Sequence, residues 1–225
     1  MMSTAAPAFN TSEARFNMIE QQIRTWEVLD PTVLALLDKV PRENFVAPSQ
    51  VGLAFADVEL PIGHGQTMLS PKLEGRILQA LNVKKTDRVL EIGTGSGYLT
   101  ALLANLAAHV TSVEIQPELS AIAKSRLQAQ HVDNVTLYVG DAASGFAAAA
   151  PYDVIVFTGA LPLAPTAAEK MLTIGGRLFA VTGSMPIMQA SLTQRVSQDG
   201  FSRETLFETC LPLLENAPAA NQFKF

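Results

Sequence analysis

The sequence predicts an α/β chain: a doubly wound parallel sheet, antiparallel strands along one edge, and a helical cap at the N terminus. Three observations predict it. From residue 88 short apolar runs alternate with helical patterns, the arrangement of strands joined by crossover helices. A glycine-rich turn, Gly93–Gly97, sits between the first such strand and the first such helix. After Gly175-Gly176 the helices stop, and Gly183 and Asp199-Gly200 punctuate a run of strands as hairpins.

Element by element, the first dozen residues are small and polar, so 1–14 is expected to be a tail and 216–225 another. Phe16, Ile19 and Ile23 recur at helical spacing up to Trp26. Asp30-Pro31 and Ser70-Pro71 each read as an N-cap followed by proline in the first turn. Residues 41–69, rich in Pro and Gly, predict surface loops and short strands. Strands follow over 88–92, 109–113, 135–139, 153–157, 177–182, 190–196 and 204–211, with helices over 99–106 and 117–129. Right-handed crossovers place the carboxyl ends of the parallel strands along one edge, where such sheets bind ligands. Residues 15–215 therefore form one domain.

Composition narrows the function. With 16 basic and 21 acidic residues the chain carries a formal charge of −5, opposite to the surplus a nucleic-acid binder needs. One cysteine, Cys210, and three scattered histidines argue against a disulfide framework or a metal centre. No apolar run is long enough to span a membrane, and the N terminus lacks the pattern of a secretory signal. The expectation is a cytoplasmic protein with no nucleic-acid, membrane or metal partner.

The run Glu91-Ile92-Gly93-Thr94-Gly95-Ser96-Gly97-Tyr98 carries the chemistry. Its spacing is G-x-G-x-G, and bulky Tyr98 follows Gly97, which disfavours a dinucleotide; the missing Lys-Ser/Thr ending disfavours ATP. Glu91 at the first strand's end would repel a pyrophosphate but suits a cationic amino-acid group, directly or through water. Glu114 ends the second strand, placed to accept ribose hydroxyls, and Gly140-Asp141 follows the third, placed to meet an adenine amino group. Three acids at three successive strand ends point to S-adenosyl-L-methionine. Gly93, Thr94, Gly95, Ser96 and Gly97 would cradle it, with Ile115, Ala142 and Thr158 completing the expected contacts.

Taken together, the sequence resembles the protein-L-isoaspartate O-methyltransferase family from about Met18 to Leu213. The resemblance rests on Val40-Pro41-Arg42-Glu43-Asn44-Phe45-Val46, Ala54-Phe55-Ala56-Asp57, Leu60-Pro61-Ile62-Gly63-His64-Gly65-Gln66-Thr67, the glycine loop, Asn134-Val135, Gly140-Asp141 and Gly175-Gly176-Arg177-Leu178. It implies a Rossmann-like, seven-stranded methyltransferase sheet, methyl donation from S-adenosyl-L-methionine, and isoaspartyl residues of damaged proteins as acceptors. The family reads Gly-Gln-Thr-Ile-Ser-Gln-Pro-Tyr, with the serine as its active-site residue. This chain reads Gly65-Gln66-Thr67-Met68-Leu69-Ser70-Pro71-Lys72, so Leu69 takes the serine's place, Lys72 replaces an aromatic residue and Glu74 stands at a usually apolar position.

Methyl transfer to a carboxylate needs no general base, because a group with a pKa near ~4 is already ionised at neutral pH. A lost serine then removes one hydrogen bond rather than a proton relay. Asp57, Thr67 and Ser70 are the acceptor-side candidates: Asp57 as substrate neighbour or turn residue, Thr67 as substrate, cofactor or loop ligand, Ser70 as N-cap or replacement hydroxyl. Lys72 and Glu74 are expected to be solvated, His64 to bond within its own loop, and Trp26 and Phe45 to join the core. Two other readings share the altered loop: a cleft retuned for another acceptor, and a non-catalytic protein that binds S-adenosyl-L-methionine to present a partner surface.

Overall fold

The computed structural model describes residues 10–218. Helix α1, Thr11–Asn17, opens inside the stretch expected as a tail, because the Asn10 side chain accepts the Glu13 amide and Arg15 pairs with Glu43. It runs on through a wide turn, Met18–Ile23, and a tight one, Arg24–Trp26; that change of pitch leaves Phe16 exposed while Met18 and Ile23 are fully buried. Helix α2, Pro31–Lys39, is capped by Asp30, whose carboxylate accepts the amides of Thr32 and Val33 at 2.7 and 3.2 Å.

Two short strands, β1 (Leu60–Gly63) and β2 (Gln66–Met68), pair as a hairpin over the His64-Gly65 turn. Helix α3, Pro71–Leu81, follows directly and buries Leu73, Ile77, Leu78 and Leu81. The main sheet then builds in sequence: β3 (Arg88–Ile92), α4 (Tyr98–Leu106), β4 (His109–Glu114), α5 (Pro117–Ala129), β5 (Val135–Val139), β6 (Tyr152–Leu161), the short α6 (Thr166–Glu169), β7 (Leu172–Ser184), β8 (Ile187–Arg195) and β9 (Phe201–Thr209). Seven strands lie in the order β5-β4-β3-β6-β7-β8-β9, parallel from β5 to β7 and antiparallel from β7 to β9. The predicted sheet and its antiparallel edge are both present.

Alternation along the strands builds a core on each face. Val89, Val154, Val156, Phe179 and Val181 point toward α2, α3, α4 and the N-terminal cap. Leu90, Ile92, Ile155, Phe157, Leu178 and Ala180 point the other way, toward Tyr152, Ala168 and Leu172. The chain winds outward from β3 to β5 and then returns to β3's other side with β6. That reversal opens a crevice at the carboxyl ends of the strands. No helix among the described residues is long and apolar enough to cross a membrane.

Candidate active site

The glycine loop fills the crevice. Gly93, Gly95 and Gly97 all have positive φ, at 95°, 52° and 85°. At Gly93 the need is steric as well: a Cβ there would lie 2.2 Å from the Thr158 hydroxyl oxygen. That hydroxyl sits between the carbonyls of Ile92 and Gly93, at 3.0 and 2.7 Å, and ties the loop to the end of β6.

Around the loop lies a cleft open to solvent. Ile62, Ile92, Val113, Ile115, Leu119 and Ala142 form its apolar walls, and Glu114, Asp141 and Glu215 its acidic groups. One Glu114 oxygen accepts the Gly95 amide at 2.8 Å and the other the Gln116 amide at 3.0 Å. Each oxygen keeps a second lone pair for a hydroxyl donor. Asp141 accepts the Ala143 amide at 2.9 Å. Gly93, Gly95, Glu114, Ile115, Asp141, Ala142 and Thr158 thus share one cleft.

Thr94 and Ser96 line instead a smaller recess behind the loop, with Thr67, Leu69 and Glu74, while Gly97 caps α4 and packs against Ala123. Glu91 corrects its expectation. Strand alternation turns it to Val89's face, beneath α4, where it is fully buried rather than facing the cleft. One of its oxygens accepts the Thr100 and Ser112 hydroxyls at 2.5 and 2.6 Å, and the other has no hydrogen-bond partner. Burial pushes its carboxyl up to about 8.

The three acceptor-side candidates separate. Only Thr67, carried by β2, lines the cleft around the glycine loop, and its hydroxyl donates to Glu59 at 3.0 Å. Asp57 and Ser70 line another groove, with Trp26, Lys72, Arg76 and Phe207. Ser70 occupies the N-cap position of α3 but makes no side-chain cap bond, so the expected cap is formed by its backbone alone. Lys72 is not free in solvent either: it pairs with Asp57 at 2.7 Å and lies 4.1 Å from the Trp26 ring centre. Glu74 is 1% exposed and ion-paired with equally buried Arg42; burial raises the pKa of its carboxyl, and the guanidinium pulls it back down. Phe45 is core as expected, Trp26 is exposed, and His64 reaches Glu118 at 3.9 Å rather than its own loop.

Sequence reasoning missed a strap. Beyond β9 the chain returns to the cleft, and Leu213 pairs in parallel with Ala160 of β6. The Asn216 amide donates to Asp141 at 2.9 Å, and Glu215 accepts from Gln116 at 2.7 Å and Gln66 at 3.4 Å. Asn216 thus falls within the expected tail of 216–225 yet belongs to the site; residues 219–225 lie outside those described. No local signal marks the strap, since its partners lie from about 50 to 149 residues upstream.

Fold and cleft together define the Rossmann-like methyltransferase class. The model of "Protein-L-isoaspartate(D-aspartate) O-methyltransferase (PCMT)" matches residues 13–210. A protein-L-isoaspartate O-methyltransferase of Protochlamydia amoebophila is 42% identical over 84% of this chain and 90% of its own length. One from Methanoculleus marisnigri is also 42% identical, over 83% of this chain and 84% of its own. The chain belongs to the protein-L-isoaspartate(D-aspartate) O-methyltransferase family. The fold agrees with a solved protein-L-isoaspartate O-methyltransferase at a TM-score of 0.78 and 23% identity, over 91% of this chain and 67% of that one. It also agrees with a Plasmodium falciparum structure, described as a beta-aspartate methyltransferase in complex with S-adenosyl-L-homocysteine, at a TM-score of 0.74 and 17% identity, over 92% and 99%.

Proposed function

We propose that this enzyme methylates the free carboxylate of L-isoaspartyl residues in damaged proteins, with S-adenosyl-L-methionine as donor. The observation that carries the reading is that Gln66 and Thr67, from the segment most specific to the family, line the same cleft as the glycine loop. The cleft residues fit that donor. Glu114 has free lone pairs for the ribose hydroxyls, Asp141 suits the adenine amino group, and apolar walls flank the ring position. A Cβ on Gly95 would come within 3.2 Å of Ile62, so the loop stays bare where the ligand lies. Glu91 acts from beneath, holding Thr100 and Ser112, and through Ser112 the Thr94 hydroxyl at 2.6 Å.

When bound, the donor supplies an electrophilic methyl group on a sulfonium. The protein's part is to bring a dehydrated carboxylate into line with it. Thr67 is the hydroxyl placed to hold that carboxylate, which on binding takes Glu59's place as its hydrogen-bond partner. Leu69 supplies no hydroxyl, and Ser70 faces the other groove. Thr67→Val is therefore expected to lower kcat/KM roughly tenfold to a hundredfold, as one bond to a charged group is worth.

The test is transfer of label from S-adenosyl-L-methionine to an isoaspartyl peptide, with the matched aspartyl peptide as control. Base-labile label on the first alone is expected. No label, with S-adenosyl-L-homocysteine still bound, would overturn the assignment and turn attention to other carboxylate acceptors, the reading that Leu69 and Glu74 favour.

A further inference from the structure

The buried pair Arg42–Glu74 lies outside the cleft around the glycine loop. Arg42 is 1% exposed and spends its guanidinium on three groups. Its Nε donates to the Ala54 carbonyl at 2.8 Å, Nη1 to the Glu74 carboxylate, and Nη2 to the Leu69 carbonyl at 2.6 Å. The same group lies 4.9 Å from the ring centre of Tyr98, the first residue of α4 after the glycine loop. Glu74, Leu69 and Thr67 together line the recess that also touches Gly93–Ser96.

We propose that Arg42 and Glu74 are positioning residues for methyl transfer: Glu74 orients the Arg42 fork, and the fork fixes the segment 66–69 against the glycine loop. The inference rests on the reading that this segment receives the acceptor. The chemistry selects these residue types. A planar guanidinium has donors enough for two carbonyls and a carboxylate at fixed angles, which an ammonium cannot match. A buried guanidinium needs an anion, and Glu74 supplies it from the first turn of the helix that follows the segment. With no serine at position 69, the side chain there offers the substrate no anchor, so the place of Thr67 depends on the backbone held at Leu69.

The double variant Arg42→Met/Glu74→Leu tests this, because an apolar pair of similar volume can replace a buried ion pair without loss of folding. The expected result is a folded protein with a lowered melting temperature, because the Ala54 and Leu69 carbonyls lose their donor, and S-adenosyl-L-homocysteine affinity within about twofold, because neither Arg42 nor Glu74 lines the cleft. KM for the isoaspartyl peptide is expected to rise roughly tenfold or more, and amide exchange over residues 66–70 to accelerate by a similar factor. Unchanged KM and unchanged exchange would overturn the proposal, as would faster exchange with unchanged KM. If the double variant fails to fold, Arg42→Lys keeps the charge but loses the fork, and the same two readouts decide. Should the parent itself fail to methylate the peptide, the proposed function falls, while the exchange comparison still decides whether the pair holds the segment.

Discussion

Glu91 is the residue whose chemistry departs most from its sequence-based reading. A carboxylate beside a glycine loop suggests contact with a cationic ligand, yet alternation along β3 sends it inward, where burial raises its pKa to about 8. The sign of the consequence is fixed by linkage. Between about 4.5 and about 8 the folded state holds a proton that the unfolded state has lost, so stability falls as pH rises across that window, by up to ~1.4 kcal/mol per unit for this group. Glu91→Gln keeps an oxygen for Thr100 and Ser112 and removes the titration. Urea unfolding from pH 5 to pH 8 is expected to show a flatter profile for the variant and higher stability than the parent at pH 8. Gly93 is a second case. Gly93→Ala combines a φ of 95° with a contact of 2.2 Å to Thr158, and is expected to cost about 2–5 kcal/mol. Adding Thr158→Ala removes the contact but not the strained φ, so the pair should recover part of that loss in a denaturant cycle.

At the scale of elements, the sequence was legible wherever the deciding interaction is local. The Asp30 cap, the proline-led helices and the βαβ alternation depend on neighbours within a turn or two, and each is present. Asp30→Ala is expected to destabilise the protein by about 1 kcal/mol in thermal unfolding, through two lost amide acceptors. Ser70 shows the limit of the same rule: position and following proline are right, but the hydroxyl is not used. Glu74 shows a second limit. Its place on an exposed or buried face could be judged from helical phase, but its partner comes from 32 residues upstream. A charge in the first turn of a helix reads as solvated until the arginine that neutralises it is known. The Asp57–Lys72 pair in the groove beside Trp26 was hidden for the same reason.

The whole molecule puts the cleft at the reversal of strand order and lines it with the β1–β2 hairpin. β9 stays paired through Thr209, opposite Met188 of β8, and Leu213 lies beside Ala160, so only Cys210, Leu211 and Pro212 link the two. Ala160 also pairs with Val181 of β7, so Leu213 takes the other side, in the lane that β3 leaves free where it ends at Ile92. Three linking residues leave the tether little slack between the outermost strand and the cleft. Fraying of β9 and release of Asn216 from Asp141 become one mechanical event. S-adenosyl-L-homocysteine that holds Leu214 and Glu215 in place at the cleft rim is therefore expected to slow amide exchange in β9, at the opposite margin of the sheet, and unaltered exchange there would show that the line carries no tension.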